Sequence, residues 1–192
     1  MIPSPTSSYR DGFGTLSNKN KSSYGIETRA VVSGRAGKEH HGVLNTPVYR
    51  ASTILHPDAR AFETRHDIFD RYKVVYGLLG TPTTFSLETA MLDLTGGYDA
   101  VLTSSGLSAC TIGLASFLGA GDHLLITDSV YWPTRAFCDQ TLTRFGVEVT
   151  YYDPEIGNDI ESLIKPNTRV IYLESPGSLT FEVQDIPTIT EV

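Results

Sequence analysis

From Pro82 to the end of the chain, short apolar runs that suit strands alternate with apolar stripes that suit helices, and few architectures accept that pattern. Leu87, Met91 and Leu94 recur at i, i+4 and i+7, which predicts a helix closed by Gly96-Gly97. Asp99-Ala-Val-Leu-Thr predicts a short buried strand. A second helix follows Ser104-Ser-Gly, with Cys110, Leu114 and Phe117 on one face and Gly119 and Gly121 closing it. His123-Leu-Leu-Ile-Thr is the next strand. Pro133 suits the first turn of a third helix, where its missing N–H has no partner to lose. Cys138, Leu142 and Phe145 repeat the spacing, and Gly146 stops it. Val147–Tyr152 reads as a strand and Asp153-Pro as a turn. Ile160, Leu163 and Ile164 mark a short helix stopped by Pro166, and Arg169–Glu174 is a further strand leading to a loop at Ser175-Pro-Gly. Such alternation implies right-handed βαβ crossovers, hence an α/β fold with a mostly parallel sheet and helices on both faces.

The residues before this region differ. Residues 1–28 hold six Ser, two Pro and three Gly, with single aromatics and no period, which predicts a flexible arm. Residues 29–75 form a mixed lead-in, in which Thr46–Leu55 suits an extended segment broken at Pro57. Asp58–Arg71 carries seven formal charges and suits a solvated helix or turn region. The expected division is therefore 1–75 as arm and lead-in, and 76–192 as the first part of an α/β domain.

Composition narrows the functional classes. The chain has 15 Lys+Arg against 22 Asp+Glu, a net charge of −7, which argues against a nucleic-acid partner. Two cysteines, Cys110 and Cys138, cannot build a disulfide framework or a four-thiolate zinc site, so the chain is expected to be cytoplasmic. The start of the sequence shows no basic n-region followed by an apolar core, and no apolar run approaches the ~18 residues of a membrane span.

Open α/β sheets bind ligands at the carboxyl ends of their strands. Thr103-Ser-Ser-Gly-Leu-Ser joins a predicted strand to a helix, and its small residues let main-chain N–H groups converge on an anion such as phosphate. A tight turn with a serine N-cap fits the same residues, so pattern alone leaves both readings open. The segment matches neither the dinucleotide G-x-G-x-x-G, nor the P-loop, nor the hydrolase G-x-S-x-G. Thr127-Asp-Ser-Val-Tyr-Trp-Pro places Tyr131 and Trp132 on the same edge, where an aromatic can stack on a flat ring or serve only as a rim residue. Glu174 ends the last predicted strand, as an orienting carboxylate or as a structural acceptor for loop N–H groups. Glu39-His40-His41 reads as solvated loop residues rather than a metal site, because adjacent ligands point apart. Cys110 and Cys138 read as buried inert thiols, and nothing marks His123 as a base.

Four segments taken together are specific. Tyr76-Gly-Leu-Leu-Gly-Thr-Pro-Thr, Ser104-Ser-Gly-Leu-Ser-Ala, Asp128-Ser-Val-Tyr-Trp-Pro-Thr and Leu173-Glu-Ser-Pro-Gly-Ser-Leu-Thr-Phe-Glu-Val-Gln-Asp-Ile-Pro occur in order. From about Thr28 to the last residue the chain resembles the pyridoxal-phosphate-dependent enzymes of cysteine and methionine metabolism. The resemblance implies a fold-type-I aminotransferase-like large domain around a mostly parallel seven-stranded sheet. It implies dimers, usually paired into tetramers, with each active site shared between subunits. Gly106 and Leu107 match the positions whose main-chain N–H groups hold the cofactor phosphate. Tyr131 matches the aromatic stacked on the pyridine ring, and Tyr76 a tyrosine that reaches the neighbouring subunit's phosphate. The sequence Gly177-Ser178-Leu179 stands where γ-acting relatives carry x-Asn-Pro, which is the pattern of the bacterial β-lyase branch. Ser178 thus falls where an asparagine would face the cofactor's phenolic oxygen. The implied reaction is β-elimination from L-cystathionine, releasing homocysteine, pyruvate and ammonia.

Two departures accompany the resemblance. The family often carries arginine two residues after the first-motif tyrosine, whereas Leu78 stands here, so a guanidinium clamp on the phosphate is missing at that position. The family's Schiff-base lysine lies beyond the Glu174 segment. Lys19, Lys21, Lys38, Lys73 and Lys165 all precede Glu174, and none fits the lysine motif. The chain is accordingly expected to be the N-terminal half of an enzyme, inactive by itself. The alternatives are a γ-acting relative, a non-catalytic remnant that serves in oligomerisation, and a nucleotide-binding Rossmann-like module.

Overall fold

A computed structural model describes residues 24–35, 41–65 and 73–192. The chain divides into two compact units, Met1–Leu102 and Thr103–Val192.

In the first unit, helix α1 spans Ile26–Val32, α2 spans Ala59–Glu63 and α3 spans Pro82–Thr95. Helix α1 begins inside the stretch read as arm; residues 1–23 lie outside the described residues, as do 36–40, with Glu39 and His40, and 66–72. The start of α3 is over-determined. Thr81 and Thr84 form a reciprocal capping box, and Pro82 occupies the first turn. Gly96 ends the helix at φ 71°, a left-handed conformation that glycine adopts without a side-chain penalty. The predicted ends of this helix are observed, but the predicted inner face is not. Leu87 and Met91 are exposed, while Thr81, Phe85 and Glu88 are buried. The reason is local. The Phe85 ring covers Gly80, so closely that a Cβ there would lie 2.1 Å from Cε1. In addition, Arg29 of α1 donates to the Asp93 carbonyl at 2.8 Å. Residues 46–55, expected to be extended, form no strand beyond an isolated bridge at Thr53. The Tyr49 N–H donates to Thr83 Oγ1 at 2.8 Å, and Thr53 makes an antiparallel bridge to Tyr76.

The second unit is built on three parallel strands, β1 (His123–Thr127), β2 (Glu148–Tyr152) and β3 (Thr168–Tyr172), in the order β2-β1-β3. Helix α4 spans Gly106–Phe117 and leads into β1. Helix α5 (Trp132–Phe137) continues through a π turn, Cys138–Leu142, and a 3₁₀ turn, Thr143–Phe145, into β2. A 3₁₀ helix, Gly157–Leu163, connects β2 to β3, and α6 spans Ile186–Glu191. The path from β1 to β2 runs one way across the sheet and the path from β2 to β3 runs the other. Right-handed crossovers therefore place their helices on opposite faces. The core shows this directly. Leu124 and Ile126 pack with Leu114, Cys138 and Leu142, whereas Leu125 packs with Tyr152, Ile160 and Ile189. All five residues of β1 are buried, as a central parallel strand requires.

Three expectations are corrected. Asp99–Thr103 is not a buried strand: it has no ladder partner among the described residues, and Val101 is 73% exposed. Its main chain is instead held by side chains, with Asp99 Oδ1 accepting the Ala100 N–H at 2.8 Å. Phe117 and Phe145, placed on buried helix faces by periodicity, are exposed, because the Gly146 cap and the end of α4 fall just where the packed stripe runs out. The third helix is not one α-helix but three successive turn types, with the Thr143 N–H reaching back to the Cys138 carbonyl. No helix among the described residues is long and apolar enough to cross a membrane.

Candidate functional site

The carboxyl edge of the three strands carries most of the chemistry-bearing residues. Helix α4 delivers the chain to the start of β1, so its own first turn lies toward the opposite, carboxyl edge. A side-chain contact supports this placement: the hydroxyl of Tyr172, the last residue of β3, donates to Cys110 Sγ, one turn into α4, at 3.4 Å. Burial and this contact raise the Tyr172 phenol far above its ordinary value, so it stays protonated.

The first turn of α4 has an incomplete set of hydrogen bonds. Ser105 caps it, with its Oγ accepting the Ser108 N–H at 3.1 Å and its carbonyl accepting the Ala109 N–H at 3.0 Å. The N–H groups of Gly106 and Leu107 have no acceptor among the described residues. A Cβ built at Gly106 meets nothing within 4 Å. Around this turn, Ser105 Oγ and Ser108 Oγ lie 2.9 Å apart, and Ser104 Oγ lies 3.3 Å from Ser108 Oγ. The result is a neutral, donor-rich helix start, with open space in front of its glycine. That donor set fits a phosphate: main-chain N–H groups and the helix dipole favour an anion, and the hydroxyls can turn to donate.

Tyr131 and Ser178 are brought together by the loops after β1 and β3. The Tyr131 N–H donates to Glu174 Oε1 at 3.1 Å, and the Ser178 N–H donates to the Ser129 carbonyl at 2.7 Å. Gly177 is the point of closest approach, because a Cβ there would lie 2.5 Å from Ser129 Oγ. The Ser175–Pro176 peptide is cis, and the Gly177 N–H closes the loop by donating to the Glu182 carbonyl at 2.8 Å. Tyr131 is 48% exposed, so its ring is presented outward rather than packed away. The Ser178 hydroxyl has no hydrogen-bond partner among the described residues.

Sequence reasoning overlooked the parts that fix these loops. Gln184 is buried; its N–H donates to Ser175 Oγ at 3.0 Å, its Nε2 to the Glu174 carbonyl at 3.2 Å, and its Oε1 accepts from the Tyr152 hydroxyl at 3.3 Å. Burial pushes the Tyr152 phenol up to about 12, so it remains a donor. Arg135 donates to the Asp128 carbonyl at 2.7 Å and to its carboxylate, while its guanidinium lies 3.8 Å over the Tyr151 ring. Only the spacing of Asp128 and Arg135 about the first turn of α5 hinted at this clamp.

Tyr76 belongs to the first unit. It is 42% exposed at the bridge to Thr53, and the following Gly77 donates to the Ser52 carbonyl at 2.7 Å. A Cβ at Gly77 would lie 1.9 Å from the Ala51 carbonyl oxygen, so only glycine lets the two segments meet. Leu78 is 82% exposed. No group of His, Cys, Asp and Glu that could hold a metal ion occurs among the described residues. Burial lifts the Cys138 thiol to about 11, consistent with an inert core cysteine.

A parallel sheet with helices on both faces is consistent with an incomplete fold-type-I large domain, and solved structures of that class match it. The solved structure of metB from Corynebacterium glutamicum superimposes with a TM-score of 0.79 at 26% identity, covering 90% of this chain and 43% of that one. The chain belongs to the Cys/Met metabolism PLP-dependent enzyme family, which matches residues 27–192. It is 50% identical over 171 residues to a Saccharomyces cerevisiae protein named "Putative cystathionine beta-lyase", covering 89% of this chain and 48% of the relative. It is 39% identical over 166 residues to the Escherichia coli cystathionine beta-lyase MetC, covering 85% of this chain and 42% of the relative. The chain thus spans about half the length of the curated relatives it matches. Of the seven strands implied by the resemblance, three are formed among the described residues.

Proposed function

We propose that the chain supplies the phosphate-anchoring and ring-stacking part of a carbon–sulfur β-lyase that cleaves L-cystathionine to homocysteine, pyruvate and ammonia. The observation that carries this reading is the first turn of α4, whose Gly106 and Leu107 N–H groups have no acceptor among the described residues, with open space where a Gly106 side chain would lie. When bound, pyridoxal phosphate supplies an electron sink that acidifies the substrate Cα–H and allows the Cβ–S bond to break. Gly106 and Leu107 donate to the phosphate, and the α4 dipole adds to the attraction without a cationic side chain. Tyr131 would cover one face of the bound ring and exclude water from it. Ser178 would offer its hydroxyl to the ring's phenolic oxygen.

The β- rather than γ-lyase assignment rests on Gly177-Ser178-Leu179 and on the names of the relatives. Gly177 has a steric role that this motif makes necessary, since its close approach to Ser129 leaves no room for a side chain. Tyr76 is the residue that reaches the phosphate of a neighbouring subunit, in a dimer or tetramer with shared active sites. The enzyme works in the cytoplasm on a small amino-acid substrate.

The test is product analysis with the full-length gene product, pyridoxal phosphate and L-cystathionine. Homocysteine and pyruvate are expected; cysteine and 2-oxobutyrate would assign the γ-acting alternative. No turnover by a folded, cofactor-loaded protein would point to the non-catalytic remnant.

A further inference from the structure

Tyr131 stands where the loop after β1 enters α5. Among the described residues its own hydroxyl has no partner, and its ring is half exposed. Its carbonyl caps α5, accepting the Thr134 and Arg135 N–H groups at 2.9 and 3.1 Å, while its N–H is held by one side chain from a different loop, 43 residues further on: Glu174 Oε1 accepts it at 3.1 Å. Glu174 is itself fixed from behind. Its carbonyl accepts from Gln184 Nε2 at 3.2 Å, and the neighbouring Ser175 Oγ accepts the Gln184 N–H at 3.0 Å. Gln184 is buried against the Tyr152 hydroxyl, which also donates to the Tyr172 carbonyl at 3.0 Å. A chain of contacts therefore runs from the sheet core through Gln184 and Glu174 to the main chain of Tyr131. On the far side, the Ser178 N–H grips the Ser129 carbonyl at 2.7 Å, so the two loops are joined at two points.

We propose that Glu174 is a positioning residue that sets the height and tilt of the Tyr131 ring over the cofactor, by accepting the Tyr131 N–H. The inference rests on the stacking role proposed for Tyr131. The physical basis is geometric. A main-chain N–H bonded to a carboxylate fixes the Cα position and the direction of the Cα–Cβ bond, and charge-assisted bonds of this kind are stronger than neutral ones. Stacking depends on ring offset and distance, so a loop that relaxes loses contact even though the tyrosine is retained. Glutamine keeps an oxygen acceptor at the same reach. Aspartate is shorter by one methylene and cannot span the gap without moving the loop, and alanine removes the acceptor.

The experiment compares Glu174→Gln, Glu174→Asp and Glu174→Ala in the full-length protein loaded with pyridoxal phosphate. The readouts are the induced circular dichroism of the bound cofactor and its retention on dialysis, with thermal unfolding as a check on folding. Glu174→Ala and Glu174→Asp are expected to lose roughly half or more of the induced signal and to bind cofactor about fivefold more weakly, as one lost hydrogen bond to a charged group predicts after allowance for its exposure. Glu174→Gln is expected to retain most of both. Wild-type signal in a folded Glu174→Ala, or in Glu174→Asp should the alanine variant not fold, overturns the proposal. A Glu174→Gln variant as impaired as Glu174→Asp also overturns it, because the acceptor would then not be the property that matters. Tyr131→Ala separates the two levels of the argument: if that change leaves the induced signal intact, the stacking role itself fails. If Tyr131→Ala abolishes the signal while every Glu174 variant retains it, only the positioning role fails.

Discussion

The two ends of β1, a strand of five residues, use polar side chains in opposite ways. At the amino end, His123 is fully buried and both ring nitrogens are engaged, Nδ1 with Thr168 Oγ1 at 2.7 Å and Nε2 with Thr150 Oγ1 at 2.9 Å. Thr168 Oγ1 also accepts the Lys165 N–H at 2.7 Å. That end is a closed polar staple across three strands. At the carboxyl end, the loops bearing Tyr131 and Ser178 are tied through the N–H groups of both residues, while the Tyr131 ring is half exposed and the two hydroxyls have no partner among the described residues. Satisfied polar groups in the interior specify strand order and register. Polar groups held rigid but left without partners are what a ligand can use. The difference separates a histidine that looks functional by residue type from loops that look ordinary by composition.

The largest effect is expected where the staple is broken. His123→Ala leaves a cavity and strips partners from two threonine hydroxyls, a loss of about 2–4 kcal/mol in unfolding free energy. Urea unfolding of the full-length protein measures it. Cofactor affinity per folded molecule should stay at the wild-type value. A large change in affinity with unchanged stability would reverse the assignment of the two ends.

The converse change lies at the other edge. Gly106→Val places its side chain in open space, so stability should move by no more than about 0.5 kcal/mol. Cofactor retention on dialysis should fall by at least about tenfold, the effect of denying the phosphate its approach to the main chain. Because the protein itself leaves room for the valine, any loss must come from the ligand. Full retention would return the first turn of α4 to a plain capped turn.

How much of this was visible in the sequence depends on the range of the interaction. Helix ends at Gly96 and Gly146, the strand His123–Thr127, the strand expected at Arg169–Glu174 and formed at Thr168–Tyr172, and the Ser105 cap follow from neighbours within a few residues, and periodicity and turn chemistry reveal them. Asp99–Thr103 has the apolar content of a strand, but it forms none, and Val101 stays exposed. The inward face of α3 was misplaced because Phe85 is selected by its contact with Gly80, not by a regular stripe. The same limit applies to the site. Glu174 could be singled out as an acceptor for loop N–H groups, whereas its partner Tyr131, and the whole role of Gln184, appear only through contacts between distant segments.

A smaller effect separates ring from hydroxyl at Tyr131. Tyr131→Phe should retain most cofactor binding, and Tyr131→Ala should lose about 0.5–1.5 kcal/mol, the contribution of an offset-stacked ring pair beyond simple burial. Titration of the apo-protein with pyridoxal phosphate checks both. Equal affinities would make Tyr131 a rim aromatic and remove the contrast between the two ends of β1.

The smallest effect is a pH dependence that belongs to the amino end alone. Burial first, and then the Lys165 ammonium, hold His123 below its ordinary value of 6.5, with Glu148 opposing them. The folded chain therefore keeps this imidazole neutral over a range in which the unfolded chain binds a proton. Stability is fully present above pH 6.5, falls as the pH drops through that value, and levels off below the lowered folded-state value. One proton sets a ceiling of about 1.4 kcal/mol per pH unit on the slope. Urea unfolding at several pH values, with His123→Leu as the reference, isolates the contribution. The variant should lose the part of the acid-side slope that this histidine supplies, while both proteins bind cofactor with the same pH profile. An unchanged slope in the variant would mean that the buried imidazole does not couple folding to protons, and that its two threonine contacts act only through packing.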